Sequence, residues 1–369
     1  MSQAAPLPRW ADVALLPLIN VVAAFVISGL VVLAIGEDPL AATRLLITGS
    51  LGSFYGLGYT LFYTTNFIFT GLAVAVAFQA GLFNIGGEGQ AYIAGLGAAL
   101  VCLHLQFLPG FILMPLGIAA AAAFGAAWAV VPGYLQAKRG SHIVITTIMF
   151  NWLAATLMSY LLVSVMRLPG QMNTETPEFA AQSNVPQLNA LWQALGVKVP
   201  DTPLNFSFVF ALAAAFFVWR LIWRTRLGYE IRTFGASATA AVYAGISPAR
   251  ITIVAMAISG ALAGGLAVNE LMGNRHLLAL EFTSGYGFVG IAVALMGRGH
   301  PFGIVLAALL FGMLYQGGAE LAFEKPKISR DMIVVIQGLV VLFAGALEGL
   351  FRAPLARLLA PRRAAVAAE

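Results

Sequence analysis

One run of ten residues gathers polar groups where the surrounding chain is apolar. Gly81-Leu82-Phe83-Asn84-Ile85-Gly86-Gly87-Glu88-Gly89-Gln90 brings together a carboxylate, two amides and four glycines. A carboxylate can hold a proton or accept several N–H groups, and an amide can donate and accept at once. Glycines break a helix, and the freed backbone groups are tolerated at membrane depth only if protein or a watery cavity satisfies them. Many transporters build a solute path from such broken helices. On that reading Asn84, Glu88 and Gln90 line or brace a path; the other reading is an ordinary turn at the membrane face.

A second set lies at Thr146-Thr147-Ile148-Met149-Phe150-Asn151. Thr147 and Asn151 are four residues apart and share one helical face. They fit two roles, lining a pore or tying helices together with hydrogen bonds worth about 0.6 kcal/mol on average. Phe83, Phe150 and Trp152 have faces that can stack on a base or sugar ring, although aromatic residues also pack helices or anchor at the interface. His142, beside Lys138 and Arg139, has no companions at metal-ligand spacing. Glu270, Glu281 and Glu320 fall near predicted external helix ends, where carboxylates reach water, and receive no chemistry. There is no G-x-S-x-G, no H-E-x-x-H and no phosphate-cradling G-x-x-x-x-G-K-[ST], so neither hydrolase chemistry nor ATP binding is expected in this chain.

The elements that must position these groups are membrane helices. Of 369 residues, 60% are hydrophobic and 9% charged, whereas soluble domains carry about 25% charged residues. A helix needs about 20 apolar residues to cross a bilayer core, and the apolar runs give ten segments: 12–35, 60–80, 88–106, 111–136, 143–165, 206–223, 250–271, 286–297, 301–320 and 331–350. The eighth is too short to span alone. The first is longer than a signal-peptide core of about 7 to 15 residues and reads as a retained helix. The fold expected is therefore an all-α polytopic membrane protein of about ten transmembrane helices, with 1–369 as one membrane domain.

Basic loops stay cytoplasmic. With the N-terminus inside, thirteen of the 20 Lys and Arg residues fall on the inner side, among them Arg9, Arg139, Arg224, Arg298 and Arg352. Both termini are then cytoplasmic. The net charge of +5 is topological: no basic stretch with interleaved aromatics tracks nucleic acid. Two connections are long enough to be functional, an external stretch over 167–205 and a cytoplasmic one over 224–250. In the latter, Ala236, Ala240 and Ala244 form a small-residue ridge on a short helix closed by Gly245, which suits a left-handed cap. A helix so short needs a partner surface; that surface is either another protein or lipid.

Four ordered blocks carry a family likeness: Gly71-Leu72-Ala73 through Gln90, Thr146 to Asn151, Leu227-Gly228 through Ala244-Gly245-Ile246, and Ser259-Gly260-Ala261-Leu262-Ala263-Gly264. Together they resemble permease subunits of ABC importers in the ribose, branched-chain amino acid and nucleoside class, most closely the nucleoside branch, over about Pro39 to Gly349. The pattern departs at Ile143, where an acidic residue is expected. The resemblance implies two pseudo-symmetric halves and a translocation path for a nucleoside or related small polar solute, touching Phe83, Asn84, Glu88, Gln90, Thr147 and Asn151. It also implies a coupling helix that docks an ATPase, with Gly228, Arg232, Gly235, Ala240, Ala241, Gly245 and Ile246 as its residues. Expected partners are an ATP-binding subunit that carries the ATP and Mg, a second homologous permease or a second copy, an extracytoplasmic solute-binding protein and membrane lipid. The chain itself is expected to hold no cofactor and to be a transport subunit, not an enzyme. The alternative is an ion-coupled secondary transporter, whose mark would be an intramembrane carboxylate such as Glu88.

Overall fold

The computed structural model describes residues 8, 11, 15–168, 170, 172–194, 196, 199–325, 327–328, 330–342 and 354–356. Arg9, Lys198 and the arginines from Arg352 onward, on which the reading of the termini rests, lie outside the described residues, as does 343–350 of the tenth segment. Each of the ten segments contains a helix, and the described residues hold no strand, only two isolated bridges. The helices are α1 (Leu16–Ala34), α2 (Pro39–Leu51), α3 (Phe54–Gln79), α4 (Gly87–His104), α5 (Gly110–Arg139), α6 (Ile143–Tyr160), α7 (Asn189–Ala194), α8 (Ser207–Arg224), α9 (Arg226–Ala236), α10 (Ala238–Tyr243), α11 (Pro248–Ala267), α12 (Tyr286–Met296), α13 (Pro301–Glu324) and α14 (Arg330–Val341). Six described helices are long and apolar enough to cross a membrane, namely α3, α5, α6, α8, α11 and α13, with α6 and α11 extended by π-helical turns. A bent pair, α1 with α2, makes a seventh if counted as one span. The eighth segment forms α12, whose 11 residues reach only about 16 Å at 1.5 Å per residue.

The chain divides into two compact units, Ser50–Gln316 on one hand and Met1–Gly49 with Gly317–Glu369 on the other. In the second unit, α2 was not among the predicted segments. Its start is nonetheless encoded: Asp38 Oδ1 accepts from Leu40 N at 2.9 Å, and Pro39 occupies the first helical position, where a missing N–H costs nothing. Val32, Ala42, Leu321, Ile328, Ile333 and Ile336 form that unit's core. Lys325 pairs with Glu37 at 3.0 Å.

In the larger unit α3 is buried nearly all round, as a helix apolar on every face must be, and it packs on α8, α11 and α12. The crossing of α11 with α5 depends on small residues. A Cβ on Gly260 would stand 2.6 Å from Ala129 Cβ, and one on Gly264 2.8 Å from the Ala121 carbonyl. The G-x-x-x-G spacing here thus serves close helix approach. Beyond Ala267 the helix continues as a π-turn, Val268–Arg275. Glu270 lies in this turn among Val268–Gly273, all of them buried, and is 2% exposed, so the expectation that it reaches water is corrected. Residues 176–185 fold back on this region: Thr176 N donates to the Leu278 carbonyl, Phe179 N to His276 and Val185 N to Met272, at 2.9, 2.7 and 2.8 Å.

The α5–α11 crossing gives a direct expectation. Gly260→Val overpacks it, which costs about 1–3 kcal/mol, so the purified protein should unfold at a lower temperature while still inserting in the membrane. A wild-type midpoint in a thermal unfolding assay would show that the helices do not approach so closely.

Candidate functional site

At the end of α3, Gly81 turns the chain with a left-handed φ of 71°, and residues 82–85 leave helical structure before α4 begins. The freed backbone is satisfied by side chains. Asn84 Oδ1 accepts from Gly86 N at 2.8 Å. Its Nδ2 donates to Ser259 Oγ at 2.8 Å and to Gln90 Oε1 at 3.1 Å, and Gln90 Nε2 donates back to Asn84 Oδ1 at 3.1 Å. Ser259 Oγ in turn donates to the Ala73 carbonyl, so one chain of bonds ties the break to α11 and α3.

From α6, Asn151 grips the same break at two points. Its Oδ1 accepts from Gly89 N and its Nδ2 donates to the Ile85 carbonyl, both at 2.9 Å. One turn earlier Thr147 Oγ1 accepts from Ile85 N at 3.3 Å. The i, i+4 pair therefore acts as a clasp. Gly89 must be glycine, because a Cβ there would lie 2.9 Å from both the Asn151 backbone and its amide oxygen.

Glu88, in the first turn of α4, reaches across to the start of α12. Its Oε1 accepts from Thr283 Oγ1 at 2.5 Å and from Gly285 N at 2.9 Å, while Oε2 accepts from Gly287 N at 2.8 Å. Gly285 caps α12 in the left-handed conformation, φ 77°. The two helices begin against each other: a Cβ on Gly87 would be 3.4 Å from the Gly287 carbonyl, and one on Gly287 2.5 Å from Glu88 Cα. Two helix N-termini, each with about half a positive charge, thus share one carboxylate.

Beside this junction lies a groove of about 610 Å³ whose walls include Glu88, Tyr92, Asn151, Trp152, Thr283 and Phe288. That volume lies in the usual range for small-molecule sites, about 300–1,000 Å³. Trp152 and Phe288 are 69% and 46% exposed, and Tyr92 is backed by stacking on Phe282 at 5.4 Å. Of the residues read from sequence, Glu88, Asn151 and Trp152 line the groove, while Asn84, Gln90 and Thr147 are buried behind it. Phe83 packs on Phe78 and Phe150 on Trp128, at 6.1 and 5.2 Å, and neither is a wall residue.

The 224–250 residues form a second constellation. Thr225 caps α9 by accepting from Gly228 N at 3.1 Å, and Gly228 sits so close to Ile222 that a Cβ would be 2.6 Å from its carbonyl carbon. Arg232 Nε donates to the Ile222 carbonyl at 3.0 Å, closing the end of α8. Gly235 lies against Gly81, whose Cβ would be 3.4 Å from Gly235 Cα, so α9 touches the chain at the helix break itself. Gly245, at φ 76°, closes α10, with Ile246 N donating to the Ala241 carbonyl at 2.9 Å. Ala236, Ala240 and Ala244 are exposed, whereas Ala241 and Ile246 are buried.

A buried polar chain was not anticipated. Asn66 Nδ2 donates to Glu270 Oε1 at 2.7 Å, Asn269 Nδ2 to Asn66 Oδ1 at 2.8 Å, and Asn205 Nδ2 to Asn269 Oδ1 at 3.0 Å. Arg275 approaches Glu270 Oε2 at 3.6 Å. The signal was present as single amides inside apolar runs, at Asn66 and Asn269.

The family described as branched-chain amino acid transport system / permease component matches residues 56–345. The chain belongs to this family. It is an integral membrane permease, as its ordered blocks implied. Among its relatives, the glucose ABC transporter permease protein TsgB13 of Haloferax volcanii is 32% identical over 89% of this chain and 86% of its own length. The guanosine ABC transporter permease protein NupP of Bacillus subtilis is 33% identical over 90% of this chain and 93% of its own. A second guanosine permease of Bacillus subtilis, NupQ, is 29% identical over 69% of this chain and 78% of its own.

The permease's clasp can be tested separately from transport. Asn151→Ala strands the Gly89 N–H and the Ile85 carbonyl, at a cost of about 1–3 kcal/mol. Thr147→Val should cost less, since the Thr147 hydroxyl also bonds within its own helix. The order Asn151→Ala below Thr147→Val below wild type in unfolding temperature is expected, and an unchanged Asn151→Ala would remove the clasp.

Proposed function

We propose that this permease forms the translocation path of an ATP-driven importer for a nucleoside or a related small polar solute. The observation that carries the reading is the junction of α4 and α12, where Glu88 pins two helix starts beside a groove of about 610 Å³. Broken helices meeting at a polar site are the architecture in which transporters hold solutes. Glu88 and Asn151 stand at the solute, with Asn84, Gln90 and Thr147 bracing the break behind them and Phe83 farther back. The names of the relatives, for guanosine and for glucose, support a solute bearing a sugar ring. The remaining features of the proposal are about ten membrane helices in one domain spanning 1–369, both termini cytoplasmic, and two pseudo-symmetric halves.

ATP is hydrolysed by a partner subunit, which binds the Mg as well. Ser237, extended between α9 and α10, breaks the expected one-helix ridge, so Ala236 ends α9 while Ala240 lies on α10. The exposure of Ala240 supports docking of that ATPase on α10, and the contact of Gly235 with Gly81 supplies a direct mechanical link from there to the helix break. Moving the permease between inward- and outward-facing states from 1:99 to 99:1 takes about 5.5 kcal/mol of differential binding. A second permease completes the path, a reading supported by two guanosine permeases in one organism. A solute-binding protein docks on the 167–205 segment. The ion-coupled alternative is weakened because Glu88 is already held by three donors and Glu270 by Asn66 and Arg275.

Reconstitution of the permease with its ATPase, its second permease and the binding protein in liposomes tests this. Guanosine uptake should require ATP and survive collapse of proton and sodium gradients, and Ala240→Glu should abolish uptake while leaving membrane insertion intact. Uptake driven by an ion gradient without ATP would overturn the reading.

A further inference from the structure

Aromatic residues recur at every fourth position from the first turn of α3: Tyr55, Tyr59, Tyr63 and Phe67. This spacing places them on one face, spread over about 18 Å of helix axis. Ring centroids are 4.7 Å apart between Tyr55 and Tyr59 and 6.5 Å between Tyr59 and Tyr63. Two tyrosines from other helices complete the inner end, Tyr286 at the first position of α12 and Tyr315 of α13. Tyr63 lies 5.8 Å from Tyr315 and 6.1 Å from Tyr286, Phe67 lies 4.9 Å and 5.6 Å from the same two rings, and Tyr286 and Tyr315 are 5.7 Å apart. Burial deepens along the row, from Tyr55 at 43% exposed, through the half-buried Tyr59 and Tyr63, to a fully buried Phe67.

The two ends of the row have different neighbours. At the outer end, Gly58 packs so tightly on Thr202, in the 167–205 segment, that a Cβ would be 2.6 Å from the threonine hydroxyl. At the inner end, Tyr286 stands between Gly285 and Gly287, the two residues whose N–H groups hold Glu88. The row therefore runs from the segment proposed to receive a binding protein to the junction beside the groove. Simple packing would be served by leucine and phenylalanine; the five other positions of this set are tyrosines, which add a hydroxyl that needs a polar partner in an apolar interior. The four inner rings pack on one another by edge and tilted contacts. Parting them forfeits ring–ring contacts, and only a solute with its own planar ring restores contacts of the same kind.

We propose that the row of Tyr55, Tyr59, Tyr63 and Phe67, with Tyr286 and Tyr315, is an aromatic gate that admits solutes carrying a planar ring, such as a nucleobase, and offers them stacking faces on the way to the Glu88 groove. The inference rests on the transport reading above and narrows its solute class. The ring faces supply selection against solutes that have no ring to stack.

The assembled importer in liposomes, given guanosine and glucose separately, tests the gate. Tyr63→Leu and Tyr315→Leu should each raise the KM for guanosine about tenfold, the effect expected from loss of a stacking partner. Tyr63→Phe and Tyr315→Phe, which keep the ring, should stay within about threefold of wild type. Co-purification of the partner subunits at wild-type levels confirms that the leucine variants assemble, and the phenylalanine variants preserve the comparison if they do not. Leucine variants with the wild-type KM for guanosine overturn the gate. Wild-type ATP-driven uptake of glucose with none of guanosine also overturns it, while leaving the importer reading intact; ATP-independent uptake would instead strike at that reading.

Discussion

A helix that begins inside a protein exposes N–H groups that no preceding turn can satisfy, and in an apolar interior they must find partners or the helix will not start there. Two such helices, α4 and α12, begin against each other in this permease. Their like-signed ends would repel, yet Glu88 lies between them, belonging to the first turn of one and accepting from Gly285 N and Gly287 N of the other. The local order described here follows from that shared carboxylate. The glycines at 87, 285 and 287 allow the approach, and Thr283 supplies the third donor.

Around this pin the break between α3 and α4 is kept rigid by amides instead of a backbone ladder. Asn84, Gln90, Ser259, Asn151 and Thr147 come from four helices or their connections; Asn84, Ser259, Asn151 and Thr147 bond to backbone, and Gln90 bonds to Asn84. Such a network is stiff when complete and costly when any member is lost. The groove walls are consequently fixed on the α4 and α6 sides, so movement in the transport cycle is expected at places held by packing alone. Gly235 packs against Gly81 at the start of the break.

Much of this was legible in residue types. Polar groups in an apolar, glycine-broken run marked the site, and the i, i+4 spacing of Thr147 and Asn151 marked one face of α6. Their partners were not legible: Thr283 and Gly287 lie 195 and 199 positions from Glu88, and no local pattern reveals which helix start will meet which carboxylate. Hydropathy located ten segments but passed over α2, because Thr43, Arg44, Thr48 and Ser50 dilute its apolar character, although Asp38-Pro39 announces a helix start. Glu270 was misplaced for a different reason: the helix runs past the end of its apolar run as far as Arg275, and Val268 to Gly273 are all buried there. Phe83 shows the opposite limit, since its ring could stack on a solute in principle but is packed on Phe78.

The Glu88 carboxylate joins the start of α4 to the start of α12. A double-mutant cycle with Glu88→Ala, Thr283→Val and the pair, read by unfolding free energy of the purified permease, measures that link. A coupling energy of about 1–3 kcal/mol is expected, as for a hydrogen bond to a charged group and for residues in one network. Effects that add to within about 0.3–0.5 kcal/mol, as they do for independent sites, would contradict it.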